Sequence, residues 1–275
     1  MPDSLFAIIA VLFYGLATVL VALFLRSVKD SNLDLEGGKV TASFVVASIG
    51  AAFHIGYAVK ICFINGSLNA SLSSMMVLMS GMLVLLFLLG GLLMPIRRLG
   101  ILVFPLTIMS LIFTFFWGNH ITLLENRSLA FSSHIVISLL AYCLLAIASI
   151  QALLYSYQER QIKHRTNPAM LMALPPLQTM ELLLFRLVGF GFAILTLTLV
   201  SGAIFSKEIF GYAFGFKHHT ILALLGWLVF AILLFKRVKH GLRGSIAVIW
   251  TISGFLLIQL GYFGTKIVSE ILGLQ

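Results

Sequence analysis

Residues 130–165 read AFSSHIVISLLAYCLLAIASIQALLYSYQERQIKHR, a long apolar run with one histidine, His134, near its start and a group of charged residues at its end. About 20 consecutive apolar residues in a helix are enough to cross the hydrocarbon core of a bilayer. The run is continuous rather than alternating, which favours a helix over a strand of a membrane barrel. The stretch therefore predicts a membrane-spanning helix with an imidazole close to one membrane face.

The composition extends this prediction to the whole chain. Of its 275 residues, 60% are hydrophobic and only 10% are charged, against roughly 25% charged residues in soluble domains. The predicted fold is an all-α polytopic membrane protein, a bundle of eight transmembrane helices in a single integral membrane domain over residues 1–275. The first span carries no cleavage pattern, so we expect it to be retained. The eight predicted spans are Leu5–Leu25, Thr41–Ile64, Leu72–Met94, Leu99–Trp117, Leu129–Tyr155, Leu184–Phe205, His219–Phe235 and Ser245–Ile267.

The basic residues are divided unequally between the two sides of the predicted membrane. Of the 18 Lys and Arg residues, 13 fall on the side opposite the N-terminus and five on its own side. The positive-inside rule then places the richer side in the cytoplasm and both termini in the periplasm. We expect these residues to contact anionic membrane lipids, and we do not expect nucleic acid as a partner.

Histidines gather in the predicted outer half of the membrane, where His54, His134, His218 and His219 are candidate ligands. Imidazole is the commonest metal ligand, and haem iron takes one or two imidazoles as axial ligands. Zinc and copper usually recruit carboxylate or thiolate ligands too, but no Asp or Glu lies inside a predicted span. The pattern therefore favours haem iron over a bare cation. The alternative for any single histidine is a hydrogen bond to a neighbouring helix.

Several segments of the sequence resemble the cytochrome c assembly protein family, in its small HemX-like branch of inner-membrane proteins. The resemblance is strongest over residues 129–270 and looser in the first half, where AAFHIGYAVK contains His54. It implies an inner-membrane protein, not an enzyme, that binds haem b and holds or hands it on at the periplasmic face. Other membrane proteins of haem handling are the implied partners. The segments are HIVISLLAYCLLAIASIQALLYSYQERQIKHR (134–165), LPPLQTMELLLFR (174–186), TLVSG (198–202), HHTILALLGWLVFAILL (218–234) and GLRGSIAVIWTISGFLLIQLGYFGTKIVSE (241–270).

The same resemblance implies roles for individual histidines. His134 is similar to the family histidine at the outer end of its helix, and His54 to an early histidine of the branch. His218 lies where the branch places a histidine, and His219 follows it as an alternative ligand. Which pair binds the iron is left open. Two features depart from the family pattern: GYAFGFKHHT (211–220) stands in place of a tryptophan-rich WWD loop, and Phe235 stands in place of a second histidine.

Two other function classes are compatible with an eight-span protein. One is a transporter, or a membrane accessory subunit, for ions or small molecules without haem. It predicts activity that survives loss of the histidines. The other is a redox enzyme of the b-type cytochrome kind, which requires histidine pairs at two depths. The cytoplasmic half offers only His164 and His240 for the second pair.

Overall fold

The computed structural model describes residues 4–27, 36–64, 67–117, 123–124, 129–164, 174–205, 218–264 and 266–268. Among these residues, eight helices are long and apolar enough to cross a membrane. This confirms the predicted all-α polytopic class and the number of spans. The helices are α1 (Ser4–Ser27), α2 (Glu36–Cys62), α3 (Leu72–Leu93), α4 (Gly100–Trp117), α5 (Leu129–His164), α6 (Leu177–Ile204), α7 (His218–His240) and α8 (Ser245–Gln259).

Five helices, α1, α2, α5, α6 and α7, are longer than the apolar runs from which they were predicted, and the last three exceed those runs by the most. Helix α5 continues to His164, α6 begins at Leu177, and α7 continues to His240. The added residues include glutamine, glutamate, lysine and arginine, which are good helix formers. The end of an apolar run shows where the chain leaves the hydrocarbon core of the membrane. The helix continues beyond that point because the polar residues that follow have a high helix propensity.

A small antiparallel sheet, not predicted from the sequence, accompanies the first four helices. Strand β1 (Phe63–Ile64) pairs with β2 (Ser67–Asn69), and β2 pairs with β3 (Leu123–Leu124). The predicted second span ran to Ile64, but α2 ends at Cys62. Phe63 and Ile64, the last two residues of that predicted span, form β1 instead. Strands of two or three residues are too short to produce a recognisable alternation of apolar and polar residues.

The helices belong to two compact units, which we describe separately. Unit one comprises residues 1–124 and 157–177, and unit two comprises residues 125–156 and 178–275. Unit one packs α1 against α2 and α4, and α3 against α2 and α4. Its core contains the fully buried rings of Tyr14, Phe87 and Phe104, with Tyr14 stacked on Phe104 at 6.0 Å between centroids. The single integral domain expected from the sequence stays a prediction.

In unit two, α5 and α6 run antiparallel to each other. His134 hydrogen-bonds Ser201 near one end of the pair, and the amide of Gln151 donates to the Met180 carbonyl, at 3.0 Å, toward the other end. The direction reverses again between α6 and α7. Here the Trp227 indole donates to Thr196 at 2.9 Å, and Arg237 pairs with Glu181 at 2.5 Å. The starts of α5 and α7 therefore lie at the same end of unit two.

The last helix closes this four-helix bundle. Lys236 of α7 lies over the Trp250 ring of α8, 4.7 Å from its centroid. Phe255 of α8 meets Tyr142 of α5 edge-on, with the two ring centroids 5.6 Å apart. After Gln259 the chain continues as a π-helical segment, Leu260–Gly264. Helix α8 thus packs between α7 and α5, and unit two is an up-and-down bundle.

Candidate functional site

His134 lies in the second turn of α5 and is partly buried. Its Nδ1 is 2.9 Å from the hydroxyl oxygen of Ser201 on α6. That hydroxyl donates its only proton to the backbone carbonyl of Thr198, at 3.0 Å. With that proton on the Thr198 carbonyl, Ser201 accepts the bond from His134, and the proton of the neutral imidazole is on Nδ1. The lone pair of the ring is then on Nε2.

This arrangement is the one that a histidine ligand requires. A metal-binding imidazole usually donates its other ring N–H to a neighbouring oxygen, which fixes both the tautomer and the ring orientation. Ser201 supplies that oxygen to His134. The donor chemistry therefore fits a histidine that presents Nε2 to haem iron.

A glycine makes room for the His134 ring. A Cβ atom built on Gly202 would lie 3.1 Å from Cε1 of His134, which is closer than ordinary packing contacts. Any larger side chain at position 202 must therefore push the ring away. Ser201 and Gly202 belong to the TLVSG segment of the family resemblance, which predicts no role for either residue. The available signal was a hydroxyl next to a glycine inside an apolar span.

The start of α7 brings further histidines to the same end of unit two. His219 is in the first turn of α7 and is partly buried. Its backbone carbonyl packs closely on Gly261, 3.3 Å from where a Cβ of that residue would be. The backbone of His218 begins the helix, while its side chain lies outside the described residues. His120 also lies outside them.

His54 belongs to unit one and has a different environment. Its side chain is fully buried, and Nε2 lies 3.1 Å from the Val77 carbonyl. Because a carbonyl only accepts, Nε2 carries the proton, and Nδ1 accepts from the Tyr14 hydroxyl at 3.3 Å. Both ring nitrogens are therefore hydrogen-bonded. This geometry favours a structural role, and iron ligation by His54 stays a prediction.

Other ligand sets are not found among the residues that the structure describes. No group of three or more His, Cys, Asp or Glu side chains there is placed to hold a metal ion. The Cys62 thiol donates to the Ser74 carbonyl at 3.2 Å, and Cys143 is buried. His164 and His240 are exposed at the ends of their helices.

Charge is concentrated at the end of unit two that is opposite His134. Lys236, Arg237 and Lys239 lie in the last turns of α7, and Arg243 follows in the connection to α8. Arg237 is neutralised by Glu181, and its guanidinium also donates to the Leu242 carbonyl at 3.0 Å. Among the described residues of unit two, His134 and His219 thus lie at the end that carries fewer basic residues.

A protein family and several known proteins are similar in sequence to this chain. A family model described as cytochrome C assembly protein matches residues 42–273. The inner membrane protein YpjD of Escherichia coli (strain K12) is 31% identical over 159 residues, which are 58% of this chain and 59% of that protein.

Two further relatives carry another name. The cytochrome c biogenesis protein CcsA of Chlamydomonas reinhardtii is 28% identical over 141 residues, 50% of this chain and 38% of that protein. CcsA of Trichormus variabilis is 30% identical over 93 residues, 34% of this chain and 26% of that protein. The match thus spans between about a quarter and three-fifths of the length of these relatives. No solved structure matches the chain.

Proposed function

Because the chain belongs to the cytochrome c assembly protein family, we propose that it is a haem-binding inner-membrane protein of cytochrome c biogenesis. It holds haem b, or passes it on, at the periplasmic face. The names of the relatives support the setting, since CcsA is named for cytochrome c biogenesis and YpjD for the inner membrane. The positive-inside rule supports the side, since the basic residues in the last turn of α7 lie at the end of unit two that is opposite His134. Membrane lipids and other proteins of haem handling are the proposed partners.

The hydrogen bond between His134 and Ser201 is the observation that carries this proposal. It orients the ring and leaves the lone pair on Nε2, as an axial ligand needs. Haem supplies an iron that takes one or two such axial nitrogens. His218 or His219 is the proposed second ligand, because α7 begins at the same end of unit two as α5. His54 is proposed to stabilise unit one instead.

Haem titration of the purified protein tests the proposal. We expect a Soret band on addition of haem b to the detergent-solubilised protein, and at least a tenfold loss of affinity in a His134→Ala variant. The control is His240→Ala, which removes an exposed histidine at the opposite end of unit two. A protein that never develops the band, or a His134→Ala variant that binds as before, contradicts the proposal. The first of these results favours an accessory subunit or transporter without haem.

The hydroxyl of Ser201 is expected to matter through His134. A Ser201→Ala variant leaves Nδ1 of His134 without its acceptor, so we expect haem affinity to fall about 10- to 100-fold. Ser201→Thr retains the hydroxyl and should restore most of the affinity. The measurements are the haem dissociation constant and the midpoint potential of the bound iron. Equal constants and equal potentials for the alanine and wild-type proteins would show that Ser201 does not orient the ligand.

A further inference from the structure

Two polar atoms inside unit two are buried without a hydrogen-bond partner among the described residues. They are the phenol oxygen of Tyr142 on α5 and the side-chain carbonyl oxygen of Gln259 at the end of α8. Buried polar atoms in native proteins are almost always paired, and exceptions commonly mark an ordered water or another bound group. The two atoms therefore require a hydrogen-bond partner that the described residues do not supply.

The two side chains lie in the same part of the bundle. The Tyr142 ring is in edge contact with Phe255 and with Phe263, at centroid distances of 5.6 and 5.9 Å. Gln259 lies four residues from each of these phenylalanines. It is therefore on the face of α8 that packs against Tyr142. The helix widens into its π-helical segment directly after Gln259, and such widenings are frequent at functional sites.

The hydrogen-bonding chemistry of the two atoms indicates what kind of group can bridge them. A phenol hydroxyl donates and accepts hydrogen bonds, whereas an amide carbonyl only accepts them. The two atoms do not bond each other. A group that bridges them must donate to Gln259, and it satisfies Tyr142 best when it also accepts the phenol proton. A hydroxyl group does both.

We propose that unit two binds one water molecule between the Tyr142 hydroxyl and the Gln259 carbonyl, as an integral part of the bundle core. Buried waters typically satisfy polar groups of this kind and are retained because removing them is unfavourable. The water site is about 12 Å along α5 from His134, since eight residues separate Tyr142 from that histidine. The proposal does not depend on haem binding.

The sign of a stability change tests this site. If water bridges the two atoms, Tyr142→Phe and Gln259→Leu each remove one hydrogen bond from it and leave the opposite atom unpaired. We expect each variant to lower the unfolding temperature by about 2–4 °C. The double variant should lose less than the sum of the two, because the water is already lost in either single variant. Leu256→Met is the control, since Leu256 is on α8 beside Phe255 and is 52% exposed.

The opposite result overturns the proposal. Without a bound water, Tyr142→Phe removes an unsatisfied buried hydroxyl, so the unfolding temperature should stay unchanged or rise. A second measurement does not depend on the variants folding. A structure at a resolution that shows waters should contain density within about 2.7–3.2 Å of both oxygens. An empty space between two oxygens that stay unpaired would overturn the proposal as well.

Discussion

A Gly202→Leu variant is expected to lose haem binding although every histidine is still present. A side chain at position 202 meets Cε1 of His134, since even a Cβ atom would be 3.1 Å from that carbon. Leucine must rotate or displace the imidazole, which removes Nε2 from its position and breaks the bond to Ser201. We expect the Soret band to disappear, or haem affinity to fall by at least about tenfold. A haem titration of the purified variant measures this.

Helix α6 offers a matched control for this variant. A Cβ atom on Gly189 meets nothing within 4 Å, so Gly189→Leu should bind haem as the wild-type protein does. Gly202→Ala gives an intermediate case, because the ring must move only a few tenths of an ångström. Circular dichroism and gel filtration establish that each variant is folded. A folded Gly202→Leu protein with wild-type haem affinity would rule out His134 as an axial ligand in the observed orientation.

A His54→Leu variant is expected to be destabilised while it still binds haem. The substitution leaves the Tyr14 hydroxyl without its partner in the core of unit one, whereas the Val77 carbonyl still accepts a bond from the Ser80 hydroxyl. A buried polar atom left unpaired costs about 1–3 kcal/mol. The unfolding temperature should therefore fall by about 5 °C for a chain of this size. Thermal unfolding in detergent measures the loss.

Two further variants test whether the lost hydrogen bonds of His54 cause the destabilisation. Tyr14→Phe removes only one of the two hydrogen bonds of His54, so its effect should be about half as large. His240→Leu replaces an exposed histidine and should leave the unfolding temperature unchanged. A His54→Leu protein that keeps its stability but no longer binds haem would instead support His54 as an iron ligand.

Hydropathy alone was sufficient to predict the class of fold. Eight continuous apolar runs lead to eight helices, because a chain in lipid must satisfy its backbone hydrogen bonds within each segment. The helix ends were harder to predict. In α5, for example, the polar residues from Ser156 to His164 continue the helix after the apolar run has ended. Runs of two or three residues, such as β1 and β3, carry no periodic signal.

The histidines show why the site was only partly predictable. The sequence identifies imidazoles in apolar spans, but their roles depend on residues that are distant along the chain. Tyr14 lies 40 residues from His54, and Ser201 lies 67 residues from His134. A single sequence contains no signal for either pairing. The hydrogen-bond partners that distinguish the two imidazoles are therefore visible only in the folded structure.

The Nδ1 atom of His134 bonds a serine hydroxyl rather than a carboxylate. This difference affects the strength with which the imidazole would bind haem iron. A neutral hydrogen bond contributes about 0.5–1.5 kcal/mol, and bonds to charged groups are stronger. A carboxylate in this place would make the imidazole more basic and strengthen its bond to a metal. Ser201 instead preorganises the ring without adding negative charge. In the proposed function, such a ligand captures haem with little loss of rotational freedom and still permits its release to the next protein.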